Sequence, residues 1–279
     1  MSIPFGHHQL HNRYCFEGEL KLVTPLRISS GRGSDETDAP FMRLYDGTLY
    51  IPGSSLRGAI RSEVERILAS LDSAITGLRS CTLFEKGDCR ERVQEFRRSL
   101  KNADKRKAED KDNTDDQIMA QFVKENLCDV CRLFGSSSYA SRLVFEDGFP
   151  ISKTGAEMQT RIRDGVGIDR DTGAAKDGAK FDYEVIEPGG EGVRFTFRMV
   201  AENINVTAQD KKLIDLILAL LKDGLFVGGK RSGGMGKVKL APKDGRGFKV
   251  TGFESPQSLW DALVAGRELE NPIEWKEGL

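Results

Sequence analysis

Four of the five cysteines are spaced as metal ligands commonly are. Cys128 and Cys131 form a CxxC pair, and Cys81 and Cys89 lie upstream, so the two pairs of thiolates would complete one tetrahedral shell. We predict a structural zinc at these four residues. The alternative is four reduced cysteines, some of them buried as small apolar side chains. Cys15 alternates with its neighbours in a predicted strand, which indicates a core position.

A glycine-rich loop, residues 228–236 with the sequence GGKRSGGMG, has the composition of a phosphate-binding turn. Its five glycines would bring backbone N–H groups close to a ligand, while Lys230, Arg231 and Ser232 offer charge and a hydroxyl to phosphate oxygens. The loop does not match GxxxxGK[ST], and the chain has no GxGxxG, which disfavours nucleoside triphosphates. A nucleic-acid backbone suits it better. An ordinary glycine-rich turn is the alternative.

A third candidate lies where a predicted helix begins, in the segment Ile51-Pro-Gly-Ser-Ser-Leu-Arg-Gly. The free N–H groups of a helix start, the Ser54 and Ser55 hydroxyls, and Arg57 and Arg61 one turn apart would together bind an anion. An ordinary serine cap is the alternative interpretation.

The composition bounds these hypotheses. Forty-two basic and 43 acidic residues leave a net charge of −1, so an RNA partner would require a local basic surface. All three histidines lie in the first eleven residues, so acid–base chemistry elsewhere must use other groups. No apolar run approaches the roughly 20 residues of a membrane span, and the N-terminus lacks the layout of a secretory signal. We expect a cytoplasmic protein with no membrane partner.

The elements that must position these residues follow from hydrophobic periodicity. Alternating apolar and charged residues predict a strand over 13–28, and a serine-capped helix follows from Ser54 to about Leu71. Further strands are predicted at 142–146, 193–199 and 237–241, with a second helix that Thr207 caps and that stops at Gly224. This βαββαβ order predicts a single domain, 1–279, of the α+β class with a ferredoxin-like (RNA-recognition-like) palm.

Two long insertions interrupt that order. Residues 70–135 contain the predicted zinc site and a charge-dense stretch, KNADKRKAEDKDNTDD at 101–116, which we interpret as a mobile, solvated loop. Residues 150–190 are polar and glycine-rich, and a segment of that length without predicted structure indicates a functional excursion. The final residues, 260–279, show no pattern that assigns them an element.

Several stretches resemble motifs of the RAMP superfamily of CRISPR-associated proteins. They are IPGSSLRGAIRSEVE at 51–65, CRLFGS at 131–136 and GGKRSGGMGKV at 228–238, in the family's order. LRISSGRGSDETDAPFMRL at 26–44 and RDGVGIDRDTGAAKDGAKFDYEVIEPG at 163–189 are similar to the repeated backbone subunit of type III effector complexes and to its thumb. The resemblance implies copies of this chain stacked along a crRNA, with a complementary target RNA and other CRISPR effector subunits as partners.

In such subunits the thumb wedges between bases of the guide–target duplex. The resemblance therefore implies a thumb hairpin within 150–190, with Val166 and Ile168 as apolar wedges and Arg163 and Arg170 as phosphate contacts. A hairpin that merely covers the edge of a core is the alternative.

The same resemblance implies a catalytic aspartate ahead of a small residue and a proline, a position that Asp38 occupies. Asp35 and Glu36 lie close by and would share a metal or compensate. A carboxylate that holds Mg²⁺ or another divalent cation, or that orients the 2′-hydroxyl for attack on the adjacent phosphate, is a sensible catalyst where histidine is lacking. The alternative is an ordinary hydrophilic loop.

Three functions stay open besides an RNA-cleaving backbone subunit. The first is a non-catalytic RNA-binding scaffold of the same kind of complex. The second is a guide-processing endoribonuclease of the same superfamily, although those enzymes usually rely on histidine. The third is a zinc-stabilised domain that binds protein partners and no RNA.

Overall fold

The structure is a computed structural model that describes residues 9–31, 33–35, 37–82, 85–104, 115–136, 139–151, 158–189, 192–206, 209–241, 248–265 and 271–276. The strands are β1 (Arg13–Leu22), β2 (Leu143–Phe145), β3 (Thr160–Ile168), β4 (Ala175–Ile186), β5 (Arg194–Glu202), β6 (Leu225–Phe226), β7 (Lys237–Leu240), β8 (Phe248–Phe253) and β9 (Asn271–Pro272). The helices are α1 (Gly53–Ser70), α2 (Ser73–Thr76), α3 (Cys89–Asp104), α4 (Asp115–Asn126), α5 (Asp129–Phe134), α6 (Gln209–Asp223) and α7 (Pro256–Val264).

The main sheet is antiparallel and runs in the order β2-β5-β1-β7-β6. Strand β1 pairs with β5 from Arg13 opposite Glu202 to Lys21 opposite Arg194, and its other edge is shared between β8 and β7. The chain path β1-α1-β2 followed by β5-α6-β7 is compatible with the predicted ferredoxin-like palm. The mixed α/β class and the antiparallel sheet therefore agree with the prediction from periodicity.

The core lies between the sheet and helices α1 and α6. Alternate residues of β1, among them Phe16 and Leu20, are fully buried, as are Ile60 of α1 and Leu213 and Ile217 of α6. The intervening residues of β1 face the other way and form ion pairs with β5. Arg198 Nε lies 3.1 Å from Glu17 Oε1, and Arg194 Nη1 lies 2.8 Å from Glu19 Oε2. Period-2 alternation thus separates an apolar face from a charged face.

Helix α1 begins differently from the prediction. Pro52 is the N-cap and no side chain of the described chain caps the helix, so the predicted serine cap is wrong. Instead, the Gly53 N–H donates to Asp147 Oδ1 at 2.7 Å. A Cβ atom on Gly53 would lie 2.1 Å from the Phe145 carbonyl oxygen. The absence of a side chain at Gly53 is what lets the helix start this close to β2.

The first insertion is largely helical where the structure describes it. Helix α3 continues to Asp104 and α4 begins at Asp115, so the prediction of a loop over 101–116 is wrong at both ends of that stretch. The Phe96 and Phe122 rings stack with centroids 4.0 Å apart, which packs α3 against α4. Residues 105–114, the middle of the predicted mobile loop, lie outside the described residues.

The second insertion contains a β-hairpin, β3 and β4, which forms a separate two-stranded sheet. The hairpin joins the rest of the fold through Leu26 and Ile186, whose backbone groups exchange two hydrogen bonds of 2.9 Å. The Phe181 ring of β4 lies over Gly165 of β3, where a Cβ atom would come within 2.4 Å of the ring. Glycine at this position therefore gives the aromatic ring its place on the hairpin.

The C-terminal part adds strands β8 and β9 and helix α7, none of which periodicity had identified. Trp275 packs edge-on against Tyr14 and Phe16, with ring centroids 5.3 Å and 5.1 Å away, and its indole N–H donates to Asp215 at 2.9 Å. The predicted cap Thr207 lies outside the described residues, whereas Gly224, at φ +107°, follows the last residue of α6 as expected. No helix in the described ranges has the length and apolarity needed to cross a membrane.

Candidate nucleic-acid interface

The Asp38 loop, residues 33–35 and 37–41, runs beside strand β4. The Asp38 N–H donates to Asp182 Oδ1 at 2.8 Å, and in return the Asp182 N–H donates to Asp38 Oδ2 at 3.0 Å. One residue further on, the Glu184 N–H donates to the Ala39 carbonyl at 3.0 Å. Asp38 itself is exposed. The loop thus holds the predicted catalytic carboxylate at the surface, against the free edge of the hairpin.

The Asp182 carboxylate is stabilised in its ionised form. A hydrogen bond from the Thr37 side chain and one from the Asp38 backbone lower the pKa of Asp182 below its ordinary value. Asp35 is exposed in the same loop. Glu36, the other predicted supporting carboxylate, lies outside the described residues.

A second carboxylate of β4, Glu184, is buried and joins the loop to the hairpin. It accepts a 2.6 Å hydrogen bond from the Phe41 N–H, and its other oxygen accepts from the Arg43 guanidinium and from the Thr160 hydroxyl. Asp182 and Glu184 were missed in the sequence because they lie more than 140 residues from the loop that they contact. Their i, i+2 spacing on one face of a strand was the only signal for them.

The exposed face of the hairpin carries a row of apolar side chains. Val166 is 47% exposed and Ile168 is 57% exposed, and Ile162, which the sequence analysis did not select, is 49% exposed. The two predicted arginines differ. Arg163 forms an ion pair with Glu187, with Nη2 2.7 Å from Oε1, whereas Arg170 is exposed in the turn between the strands.

The glycine-rich loop, residues 228–236, packs against the base of the hairpin. Lys230 adopts a left-handed conformation with φ +59°, and its ammonium nitrogen lies 4.2 Å from the centroid of the Phe181 ring and 5.5 Å from that of Tyr183. The Arg27 guanidinium carbon also lies over the Tyr183 ring, 5.2 Å from its centroid. These cation–π contacts link the loop to strand β4.

The remaining predicted residues of this loop are open to solvent. Arg231 and Ser232 form an exposed 3-10 turn that follows Lys230. Below them, Met235 packs in a small buried cluster with Ala39, Tyr183 and Val185. The cluster brings three predicted groups together: the Asp38 loop, the hairpin and the glycine-rich loop.

The start of α1 makes a different set of contacts. The Arg57 guanidinium donates to the Phe134 carbonyl. Arg61 donates from Nη1 to the Gly135 carbonyl at 2.9 Å, from Nε to Glu65 at 2.7 Å, and from Nη2 to the Cys131 sulfur at 3.3 Å. The two arginines thereby fasten α1 to α5. Ser54 is exposed and Ser55 is partly exposed in the first turn.

The four cysteines of the first insertion lie together. The sulfur atoms of Cys81, Cys89, Cys128 and Cys131 are all within 4.8 Å of one another, and those of Cys81 and Cys131 are 3.6 Å apart. Zinc–sulfur bonds of about 2.3 Å in a tetrahedron place sulfur atoms about 3.8 Å apart, so the cluster fits a metal ion such as zinc. Cys15, by contrast, is buried in β1.

Hydrogen bonds within the cluster favour the thiolate at Cys81 and Cys89, whereas the bond with Cys128 raises the pKa of Cys131. The bond with the Cys128 thiol, followed by that with Cys131, lowers the pKa of Cys89 to about 7 and also lowers the pKa of Cys81. The Cys128 N–H donates to the Cys89 sulfur at 3.2 Å, and the Cys131 N–H donates to the Cys128 sulfur at 3.4 Å. Backbone donors of this kind are typical of the second shell of cysteine metal sites.

Comparison with known proteins identifies the family of the chain. The model of the RAMP superfamily matches residues 19–239, a range that includes the Asp38 loop, the four cysteines, the hairpin and the glycine-rich loop. None of the curated proteins searched matches the chain. RAMP proteins typically bind crRNA in CRISPR complexes. Because the match covers well over half of the chain, this protein belongs to the RAMP superfamily of CRISPR-associated proteins.

Proposed function

We propose that the protein is a crRNA-binding backbone subunit of a cytoplasmic type III CRISPR effector complex, and that it cleaves the complementary target RNA at Asp38. The observation that carries the proposal is the meeting of the Asp38 loop, the hairpin and the glycine-rich loop around strand β4. Cleavage of the target RNA beside the apolar side chains of the hairpin requires the Asp38 loop, the hairpin and the glycine-rich loop to be adjacent.

The hairpin is the proposed thumb. Val166 and Ile168, together with Ile162, would insert between bases, since apolar side chains can unstack a duplex step at a cost of a few kcal/mol. Arg170 in the turn and Arg231 and Ser232 in the glycine-rich loop would contact phosphates. Ser54, Ser55, Arg57, Arg61, Arg163 and Lys230 stay RNA-binding candidates, although four of these side chains, those of the arginines and the lysine, make the internal contacts described above.

Asp38 is the proposed catalytic residue. Its exposed carboxylate would orient the 2′-hydroxyl of the target RNA for attack on the adjacent phosphate, which gives a 2′,3′-cyclic phosphate and a 5′-hydroxyl. Asp38, with Asp35 and Glu36 beside it in the sequence, would hold Mg²⁺ or another divalent cation. Such a cation would supply positive charge to the phosphate.

The four cysteines are proposed to hold a structural zinc ion. Cys89 opens α3, and Cys128 and Cys131 bracket the start of α5, so a metal would join these helices. Arg61 extends the same junction to α1 through its contact with the Cys131 sulfur.

The experiment is cleavage of a complementary RNA by the assembled complex carrying Asp38→Ala. We expect loss of cleavage with guide and target binding retained. Asp46→Ala, at an exposed aspartate outside the Asp38 loop, is the matched control and should cleave as the wild type does. If the Asp38→Ala complex cuts at the wild-type rate, the catalytic assignment is wrong.

A non-catalytic scaffold is the second candidate. It is favoured by the contact between Asp38 and the Asp182 backbone, since a carboxylate already holding a backbone N–H would be a structural residue. Guide binding that persists in a complex lacking all target cleavage, with and without Asp38→Ala, would support this function.

A further inference from the structure

We propose that Asp182 is a positioning residue for Asp38, and that it makes target cleavage depend on how the hairpin is seated. This inference rests on the proposed function, because it assigns a role toward the catalytic carboxylate named there. Nothing in the sequence motifs singles out Asp182; the geometry around strand β4 does.

Asp38 needs an external support. It is an exposed residue in a loop with no regular secondary structure, and its side chain would otherwise sample several rotamers. The two residues instead form a closed pair, in which each backbone N–H donates to the carboxylate of the other, at 2.8 Å and 3.0 Å. The pair restrains both the backbone and the side chain of Asp38.

The hydrogen bond that holds the Asp38 N–H requires an acceptor side chain at position 182, whereas the Asp182 N–H that holds the Asp38 carboxylate is present in every variant. The Asp182 carboxylate receives the Asp38 N–H and the Thr37 side chain, both of which are donors. An aspartate accepts from both without competition, an asparagine keeps one carbonyl oxygen for the purpose, and an alanine keeps none. The expected order of function is therefore Asp, then Asn, then Ala.

The position of Asp182 in the hairpin couples the orientation of Asp38 to the position of the hairpin. It lies opposite Asp164, and Val166 of β3 pairs with Lys180, two residues along β4 from Asp182. Two residues of strand span about 7 Å, so Asp182, which holds Asp38, lies about 7 Å along the strand from the level of Val166. Movement of the hairpin on its base would carry Asp182, and with it Asp38.

Glu184 attaches the Asp38 loop to strand β4, so that the loop and the hairpin move together. Its carboxylate holds the Phe41 N–H on one side and the Arg43 guanidinium and Thr160 hydroxyl on the other, with the side chain buried. The Asp38 loop is therefore fixed to β4 at two positions on the same face of the strand, 182 and 184. We assign the first to orientation of the catalytic side chain and the second to attachment of the loop.

The test is single-turnover cleavage of target RNA by assembled complexes carrying Asp182→Ala or Asp182→Asn. A misplacement of about 1 Å can lower a rate about a hundredfold, so we expect cleavage by the Ala variant to fall about ten- to a hundredfold with an unchanged target Kd. The Asn variant should recover most of the rate. The matched control is Asp164→Ala, on the same face of the hairpin but paired with Lys180 at 3.5 Å, which should cleave within about twofold of wild type.

Three outcomes would overturn the proposal. Wild-type cleavage by Asp182→Ala would show that the contact is dispensable. Equal loss in the Ala and Asn variants would show that the charge itself is needed, and weakened target binding in the Ala variant would indicate a general structural role. Asp38→Ala is run in parallel: if that complex still cleaves, the proposed function fails, whereas an inactive Asp38→Ala with a normal Asp182→Ala removes only the positioning role.

Discussion

The ammonium nitrogen of Lys230 lies 4.2 Å from the centroid of the Phe181 ring, so the glycine-rich loop holds the hairpin through a cation–π contact. Lys230 adopts φ +59°, a conformation that is unfavourable for a residue other than glycine, and its side chain points at the hairpin. Lys230 and its neighbour Arg231 are both exposed. The contact of Lys230 with the hairpin gives these two adjacent basic residues separable roles.

Lys230→Ala and Arg231→Ala should differ in what they change. Loss of Arg231 removes one phosphate contact, which should lower the slope of log K against log salt for RNA binding by about one. Loss of Lys230 should also speed amide hydrogen exchange around Phe181 and Tyr183, because the base of the hairpin loses a contact. Lys230→Arg, which retains a cation over the ring, is the control. Equal exchange in the two Ala variants would contradict the separation.

Gly236→Ala should disrupt the glycine-rich loop. At φ +90° an added Cβ atom would lie 2.0 Å from the Val227 carbonyl oxygen, so the backbone must move. We expect a loss of more than about 1 kcal/mol in the free energy of unfolding, measured by urea denaturation. Gly233→Ala is the control, because no heavy atom of the described chain lies within 4 Å of the Cβ position there. Similar stability of the two variants would refute the steric argument.

Gly53→Ala should separate α1 from β2. Its Cβ atom would lie 2.1 Å from the Phe145 carbonyl oxygen, and overpacking of this kind costs about 1–3 kcal/mol. Gly58, on the exposed side of the same helix, has open space at its Cβ position among the described residues, so Gly58→Ala should stabilise the protein by about 0.5–1 kcal/mol. Thermal unfolding of both variants checks the opposite signs.

Cys131→Ser should lower the zinc content of the purified chain and its thermal stability. Removing one of four thiolates from a structural site weakens metal binding and the folding that depends on it. Cys15→Ala, at a buried cysteine in β1, should leave the zinc content at about one ion per chain. Metal analysis is the measurement. A wild-type zinc content far below one would argue for four reduced cysteines.

The sequence predicted the central palm because its strands and helices carry strong periodic patterns. The alternation of Phe16 and Leu20 with charged residues predicted β1, and the apolar spacing of Leu213 and Ile217 predicted α6. Errors arose where tertiary contacts decide the local structure. Asp147, 94 residues away, holds the N–H of Gly53, and no local pattern could have excluded the serine cap.

Only part of the candidate site could be predicted from the sequence, for the same reason. A resemblance selected Asp38, yet Asp182 and Glu184 owe their roles to the docking of a loop against a strand more than 140 residues away. The charge-dense insertion shows the complementary limit. Helix α3 forms in spite of many charged residues because Val93 is buried in the core and Phe96 packs against α4, and a few apolar residues among charges are a weak signal.

Side chains alternate between the two faces of the hairpin, so its strands can lengthen by even numbers of residues without turning a face over. Two additional residues in each strand would extend the arm by about 7 Å and keep the face of Ile162 and Val166 directed as it is now. One additional residue in each strand would turn that face over relative to the anchored pair at 182 and 184. Natural variation in the reach of this arm should therefore occur in even steps, because an odd step would move Val166 to the face that carries Phe181 and Tyr183.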